Sequence, residues 1–253
     1  NEQRRYLGPE GVSTPDRLLV AQVRDRAENR RNYHVHSAYG REFNDGLSRL
    51  VAHRCTRRAN ANVQVAVADN GFTVSMPLNR KADIADVIAS LDPDDVYSEF
   101  RAALEGTDLL KRYFRINATR SLMILKRYKG HEKSAAQQQV SAEMLVSFAE
   151  DLDSFAVLEE TYREIVEDKL NVAGIRTVLA AIRAGEVEVV RHEVDAPSPR
   201  AFGLATLSAS DTVLAEDEDA VLEEFHARVM EELDDSGDGI DGAEATGGVP
   251  VDS

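Results

Sequence analysis

The sequence has a single cysteine in 253 residues. Cys55 therefore has no partner for an internal disulfide, and its place in an apolar helical pattern marks it as a buried thiol of a reducing compartment rather than a nucleophile. No run approaches 18 consecutive apolar residues, so no helical membrane span is expected. The N-terminus, Asn1-Glu-Gln-Arg-Arg5, has neither an initiator Met nor the apolar stretch of a signal peptide. The chain reads as a cytoplasmic piece cut from something longer. The phosphate-binding patterns G-x-x-x-x-G-K-[ST] and G-x-G-x-x-G are both missing, so nothing in it cradles a nucleotide. No G-x-S-x-G elbow occurs, and Ser37 has no discernible base. His34 and His36 share one strand face without a third ligand at metal-binding spacing, while His53, His131, His192 and His226 are scattered. Carboxylate pairs such as Glu159-Glu160 and Glu167-Asp168 read as solvated helix surface. No residue is assigned a catalytic role and no metal site is expected.

Lysine is also scarce: only 6 of the 30 basic residues are Lys, in a chain of net charge −15. A low-Lys, acid-rich surface resembles proteins of salt-accumulating halophilic archaea, which reads the acidity as solvent adaptation. The competing reading is an acidic surface made for a basic protein partner. The charge is segregated, however. Residues 111–133 carry eight basic side chains, Lys111, Arg112, Arg115, Arg120, Lys126, Arg127, Lys129 and Lys133, against Glu132 alone, whereas residues 134–253 carry seven basic and twenty-eight acidic ones.

A hydrophobic content of 43% is enough for a sizeable core. Leu18–Val23 and Tyr33–His36 read as strands joined by a longish polar loop, Arg24–Asn32. From Arg41 to Arg58 the period becomes helical, with Phe43, Leu47, Leu50 and Val51 on one side and Arg41, Asp45 and Arg49 on the other. Val63, Val65 and Val67 alternate, Asp69-Asn70-Gly71 supplies a turn, and Phe72, Val74 and Met76 alternate again, which makes a second hairpin. Asp92-Pro93 opens a helix bearing Val96, Phe100 and Leu104. Leu109–Tyr128 is dense enough in apolar residues for one or two mostly buried helices ended by Gly130. Further helices carry Val140, Met144, Leu145 and Phe148, then Leu158, Tyr162, Ile165 and Val166, then Ile175, Val178, Leu179 and Ile182, stopped by Gly185. Val187–Val190 reads as another strand, and Pro197-Ser-Pro199 precedes a last helix with Leu222, Phe225, Val229 and Leu233. The expected architecture is α+β, an N-terminal antiparallel sheet of about five strands packed on a larger helical part. One domain covers residues 1–234. Residues 235–253, rich in Gly, Asp and Ser, form a disordered acidic tail with too little apolar surface to offset its ordering entropy.

Two segments are distinctive. The first, Tyr33-His-Val-His-Ser-Ala-Tyr-Gly-Arg-Glu-Phe-Asn-Asp-Gly-Leu-Ser-Arg-Leu-Val-Ala52, resembles the strand, the HS-x-x-G-x-x-x-N turn and the following helix of the DEAD/H-associated domain in helicases of the large helicase-related (Lhr) family. The second, Phe114-Arg-Ile-Asn-Ala-Thr-Arg-Ser-Leu-Met-Ile-Leu-Lys-Arg-Tyr-Lys-Gly130, continued by Gln137-Gln138, resembles that domain's arginine-rich helix and the glutamine-containing turn after it. Leu158-Glu-Glu-Thr-Tyr-Arg-Glu164 and Ala196-Pro-Ser-Pro-Arg-Ala-Phe202 follow in the same order. The resemblance implies an accessory domain of an ATP-dependent superfamily 2 helicase that translocates 3′ to 5′ on single-stranded DNA in DNA repair. It also implies upstream RecA-like and winged-helix domains in the same polypeptide. ATP and Mg²⁺ belong to those motor domains, and this piece holds no cofactor. The implied partners are single-stranded or forked DNA and RNA:DNA hybrids.

The residues of the basic island agree with such a role. Cations interleaved with Tyr113, Phe114 and Tyr128 offer the backbone-tracking charge and stacking faces that sequence-independent strand binding uses. Tyr113, Phe114, Met123 and Ile124 are expected in the core, leaving Arg120, Lys126, Arg127, Tyr128 and Lys129 as candidate contacts. Gln137 and Gln138 either bond phosphate or sugar oxygens or sit as ordinary residues at the start of a helix. Arg41 and Asn44 stand near a helix N-terminus that favours a phosphate, with a plain capping or turn role for Asn44 as the alternative. Two rival readings remain: a stand-alone acidic protein-interaction module without a motor, and a glycosylase-like enzyme using a carboxylate such as Glu42 or Glu159. With no residue set able to hold a triphosphate and its magnesium, the isolated chain is expected to show neither ATP binding nor ATPase activity. Nucleotide titration by calorimetry checks this, and saturable micromolar binding would refute it.

Overall fold

Two antiparallel hairpins make the middle of the sheet. The computed structural model describes residues 13–26, 28–125, 127–128, 131–132, 134–150, 152, 154–194 and 213–214. The helix expected from Leu222 to Leu233, the tail from residue 235 and the Ala196–Phe202 segment lie outside them. Strand β1 (Arg17–Asp25) pairs with β2 (Arg30–His36), from Leu19 opposite His36 to Asp25 opposite Arg30. The expected nine-residue loop is therefore mostly strand, and the chain turns over with Asn29 at φ 52°, a left-handed conformation that Asn tolerates. Strands β3 (Gln64–Ala68) and β4 (Gly71–Pro77) form the second hairpin, and β4 also pairs with β2. Gly71 sits at φ 148°, and a Cβ there would lie 2.1 Å from the Val35 carbonyl oxygen, so the tight approach of β4 to β2 demands glycine.

The sheet differs from a purely antiparallel one at its edge. The strand read at Val187–Val190 is β7 (Glu188–Val194), and it lies parallel to β1, Arg17 opposite Glu188 and Val23 opposite Val194. A strand returning after intervening helices arrives by a crossover, which permits parallel pairing. The two-residue strand β8 (Val213–Leu214) lies against β3, and the order is β7-β1-β2-β4-β3-β8. The α+β class stands, with a mixed sheet.

Helix α1 (Arg41–Ala59) covers one face of the sheet and buries Phe43, Leu47, Leu50, Val51 and Cys55 against Leu18, Val20, Tyr33, Val35, Phe72 and Val74. Burial pushes the Cys55 thiol up to about 12, which keeps it protonated and inert. Beyond the sheet come α2 (Ile84–Ala89), α3 (Val96–Leu104), α4 (Asp108–Arg120), the short hairpin β5 (Arg127–Tyr128) with β6 (His131–Glu132), then α5 (Ala135–Glu150), α6 (Ala156–Arg163) and α7 (Val172–Ala184). A π-helical turn, Glu164–Lys169, extends α6. Among the described residues no helix is long and apolar enough to cross a membrane.

Two helical readings change. The Leu109–Tyr128 stretch is not helical throughout: α4 stops at Arg120, Leu122 takes φ 61°, and the Met123 and Ile124 amides both return to the Ala118 carbonyl at 2.9 and 3.0 Å. In α5 three of the four expected apolar side chains point outward, and Leu145 packs against the core. Val140, Met144 and Phe148 are 56%, 69% and 60% exposed, while Ala142, Val146 and Ala149 are buried. Both rows have helical spacing, and the small one permits closer approach to α4 and α6.

Asn44 anchors α1 to the sheet. Its fully buried amide accepts from the Ser37 hydroxyl and donates to the Ala68 and Asp69 carbonyls at 2.9 and 3.1 Å. On the sheet's other face His34, also buried, bonds the Thr73 hydroxyl at 2.9 Å through Nδ1. Removal from water holds the His34 imidazole neutral and pushes its pKa down to about 4.

Asn44→Ala should cost about 2–3 kcal/mol in chemical denaturation, because it leaves two backbone carbonyls and a hydroxyl without their partner, whereas Arg41→Gln should change stability by less than about 0.5 kcal/mol. For His34 the sign follows from proton uptake. Below pH 6.5 the unfolded chain binds a proton that the folded one refuses until about pH 4, so stability falls across that window as pH drops. The loss from this one group is of order 3 kcal/mol. Unfolding free energies measured across the window should show His34→Gln with a slope shallower by about one proton, and an unchanged slope would refute the assignment.

Candidate nucleic-acid interface

The segment from α4 to α5 carries most of the sequence-predicted site. In α4 the 3.6-residue period turns Leu110, Phe114, Asn117 and Ala118 inward and leaves Arg112 and Arg120 exposed, with Lys111 and Arg115 half-buried. Arg112 lies over the Tyr113 ring, 5.5 Å from its centroid. Asn117 is a buried brace, donating to Thr161 Oγ1 at 3.2 Å and to Glu164 Oε2 at 2.8 Å. Arg120 leans on the same group, 3.4 Å from Asn117 Oδ1 and 3.7 Å from Glu164 Oε1, yet its side chain stays 69% exposed. At that distance and exposure the ion pair is weak, and most of the guanidinium's donors face solvent.

The chain then leaves the helix, and three large apolar side chains, Leu122, Met123 and Leu125, emerge at 75%, 40% and 41% exposure. Met123 was expected in the core; Ile124 is the one buried there. Arg127, exposed, stands on β5 opposite Glu132, and Tyr128 lies opposite His131. Lys126 and Lys129 lie outside the described residues. The basic island is thus shared between a helix, a turn and a hairpin instead of following one helix.

The polar candidates separate. Gln137 belongs to a capping box: its Oε1 accepts the Ser134 N–H at 3.0 Å, and Ser134 Oγ accepts the Gln137 N–H at 3.2 Å. Of its two readings the start-of-helix one holds. Gln138 begins the same helix, its N–H bonded to the Ser134 carbonyl at 3.0 Å, with its side chain half-buried. Asn44 lies in the first turn of α1, buried against the β3–β4 turn, and contact with a strand there is ruled out by its enclosure. Arg41 is exposed on the first turn of α1, well away in sequence from the island. Arg120, Arg127 and the glutamines lie on successive elements, α4, β5 and α5, whereas Arg41 and Asn44 lie on α1.

Of the two carboxylates named for the glycosylase-like reading, Glu159 is occupied. Both Glu159 oxygens take a hydrogen bond from Arg101 at 2.6 Å, the Arg101 guanidinium caps the Tyr162 ring at 4.6 Å, and Arg101 holds the Glu159 carboxyl below its usual range. A carboxylate clamped this way is a poor general base. Among the described residues no group of His, Cys, Asp and Glu could hold a metal ion. Sequence reasoning overlooked the basic last turns of α1, His53-Arg-Cys-Thr-Arg-Arg58, although the run of cations was readable.

The DEAD/H associated family model matches residues 12–201. The ATP-dependent helicase Lhr-Core of Sulfolobus acidocaldarius is 36% identical over 91% of this chain and 26% of its own length. Thermococcus barophilus Lhr-Core protein 2 is 36% identical over 84% of this chain and 25% of its own. The Lhr helicase/uracil glycosylase of Escherichia coli is 27% identical over 87% of this chain and 15% of its own. Among solved structures, Mycobacterium smegmatis helicase Lhr bound to ssDNA and AMP-PNP superimposes with a TM-score of 0.68 at 25% identity, covering 80% of this chain and 25% of that one. The chain spans about a quarter of the length of the archaeal relatives it matches. A family match over three quarters of the sequence makes this chain a member of the DEAD/H associated family.

Proposed function

We propose that this chain is the nucleic-acid-binding accessory domain of an ATP-dependent 3′–5′ superfamily 2 DNA helicase or translocase that acts in DNA repair in the cytoplasm. The observation that carries the reading is its likeness, over 80% of its length, to part of a helicase bound to single-stranded DNA. In this reading ATP and Mg²⁺ are handled by RecA-like domains of the same polypeptide, followed by a winged helix. The accessory domain contributes a path for the strand, single-stranded or forked DNA or one strand of an RNA:DNA hybrid. Arg120 and Arg127 supply multi-donor cations to the phosphates, joined by Lys126, Lys129 and Tyr128, and the exposed Leu122, Met123 and Leu125 offer apolar surface to the bases.

A second reading, a stand-alone protein-interaction module, draws on the outward row Val140, Met144 and Phe148, which is larger than a solvated helix face needs. The reading frame around this sequence separates the two, since a Walker loop and a DEAD/H box encoded in frame with it support the helicase.

The strand-path assignment is tested by Arg120→Lys, Arg127→Lys and Lys126→Arg in the full-length protein. At molar salt the Debye length shrinks to about 3 Å and counterion release contributes little, so directional hydrogen bonds and stacking must hold the strand. Either Arg→Lys change keeps the charge and loses the planar fork, and should weaken binding of a short oligonucleotide several-fold in fluorescence anisotropy, with Lys126→Arg far milder. Equal affinities in the parent and all three variants would remove these residues from the strand path.

A further inference from the structure

We propose that the groove between the C-terminal turns of α1 and helix α3 is a seat for a phosphate group, with Arg57 and His53 as the donors that face the ligand. The groove holds about 580 Å³, enough for a phosphate with part of a sugar, and carries three arginines in a chain whose net charge is −15.

The hydrogen bonds around it divide these cations into two that are committed and one that is not. Arg54 is held at all three nitrogens: Nε and Nη2 go to the two Glu99 carboxylate oxygens, and Nη1 to the Ser90 carbonyl and hydroxyl at 3.0 and 3.1 Å. Arg58 reaches Asp86 Oδ2 at 3.3 Å and Ser90 Oγ at 3.2 Å. Glu99 and Asp86 are thus each matched by an arginine, while Arg57 makes no hydrogen bond or ion pair among the described residues. The helix dipole explains why cations suit the last turn of α1, but it does not occupy a guanidinium's five N–H groups.

His53 stands one turn before Arg57 on the same face of α1. It is half-buried, and its ring has no hydrogen-bond partner among the described residues. Burial lowers its pKa, the neighbouring Arg57 lowers it further, and Glu99, Arg54 and Glu105 are the other charges that act on it. A neutral imidazole still offers one N–H. Ser98, across the groove on α3, directs its hydroxyl proton to the Asp95 carbonyl at 2.8 Å and is not a donor to a ligand. The donors left over are a planar fork and a ring N–H, the set that takes two oxygens of one tetrahedral oxyanion. A phosphodiester of a nucleic-acid backbone and a free phosphate share that chemistry.

An anion seated between the two residues cancels the push of Arg57 on His53, so binding raises the His53 midpoint, and protonation of His53 tightens binding by the same factor. The test follows the His53 ring resonances by NMR in the 253-residue chain across its titration, at low salt. It is run in chloride alone, with inorganic phosphate and with an oligodeoxythymidylate lacking terminal phosphates, for the parent and for Arg57→Gln. A saturating ligand should raise the parent midpoint by about half a unit, roughly threefold tighter binding to the protonated form, and Arg57→Gln should abolish the rise. Since Arg57 is exposed, the variant should keep the parent's fold, which the rest of its spectrum checks. A rise with both ligands identifies a general phosphate seat, and a rise with the oligonucleotide alone identifies a phosphodiester seat on the strand path. No rise with either, or an equal rise in Arg57→Gln, overturns the proposal. The phosphate arm does not depend on the basic island, so its success alongside unaltered strand binding by the Arg120 and Arg127 variants would separate failure of the strand-path reading from failure of this one.

Discussion

Helix α1 must lie almost in contact with the segment that follows α6 for the two halves of this structure to share one core. At Gly46 a Cβ would lie 2.4 Å from the Leu170 carbonyl oxygen and 2.6 Å from Ile175 Cδ1, so no side chain at all fits between the helix and the loop that opens α7. From that contact α1 reaches in three directions. Its apolar face closes the sheet, Arg54 and Arg58 tie it to Glu99, Ser90 and Asp86 on α3 and around α2, and Asn44 secures its start to the β3–β4 turn. Cores pack at crystal-like density and relax poorly, so a displacement of α1 here propagates to the sheet, to α3 and to α7 together.

How much of this was readable depends on whether the deciding interaction is local. The second hairpin was legible because Asp69-Asn70-Gly71 sits between two alternating runs, and α7 because Ile175, Val178, Leu179 and Ile182 end at Gly185, which takes the left-handed cap at φ 77°. The pairing of β7 with β1 was not, since nothing in Val187–Val190 states that its neighbour lies some 170 residues earlier, in parallel. Helix α5 misled for a different reason. Its sequence contains two rows at helical spacing, and hydrophobicity favours the row with the larger side chains, whereas packing against α4 and α6 selects the smaller one. The capping box Ser134-x-x-Gln137 was a local signal available in the sequence, and it accounts for one of the two glutamines that had been divided between strand contact and helix start.

The shape of the candidate surface was only partly legible. Arg120 and Arg127 are exposed as expected, but the helix assumed to align them ends between them, because the backbone turns at Leu122 and returns two amides to Ala118. A helical row would have presented its cations at fixed 5.4 Å intervals. A helix end, a turn and a hairpin present them at uneven spacing with apolar side chains between.

The parallel edge has a consequence for how the chain is made. Strand β1 directly precedes β2, buries Leu18, Leu19, Val20 and Ala21 almost completely, and can pair with it on one side as soon as both are made. Its other edge has to wait for Glu188–Val194, until the seven α-helices described between the two strands have been made. At typical synthesis rates of about 5–20 residues per second, that edge stays open for roughly ten seconds or more. During translation an apolar strand with unpaired amides is an invitation to another nascent chain. The late closure therefore sets a window in which neighbouring ribosomes on one message are the main hazard to this fold.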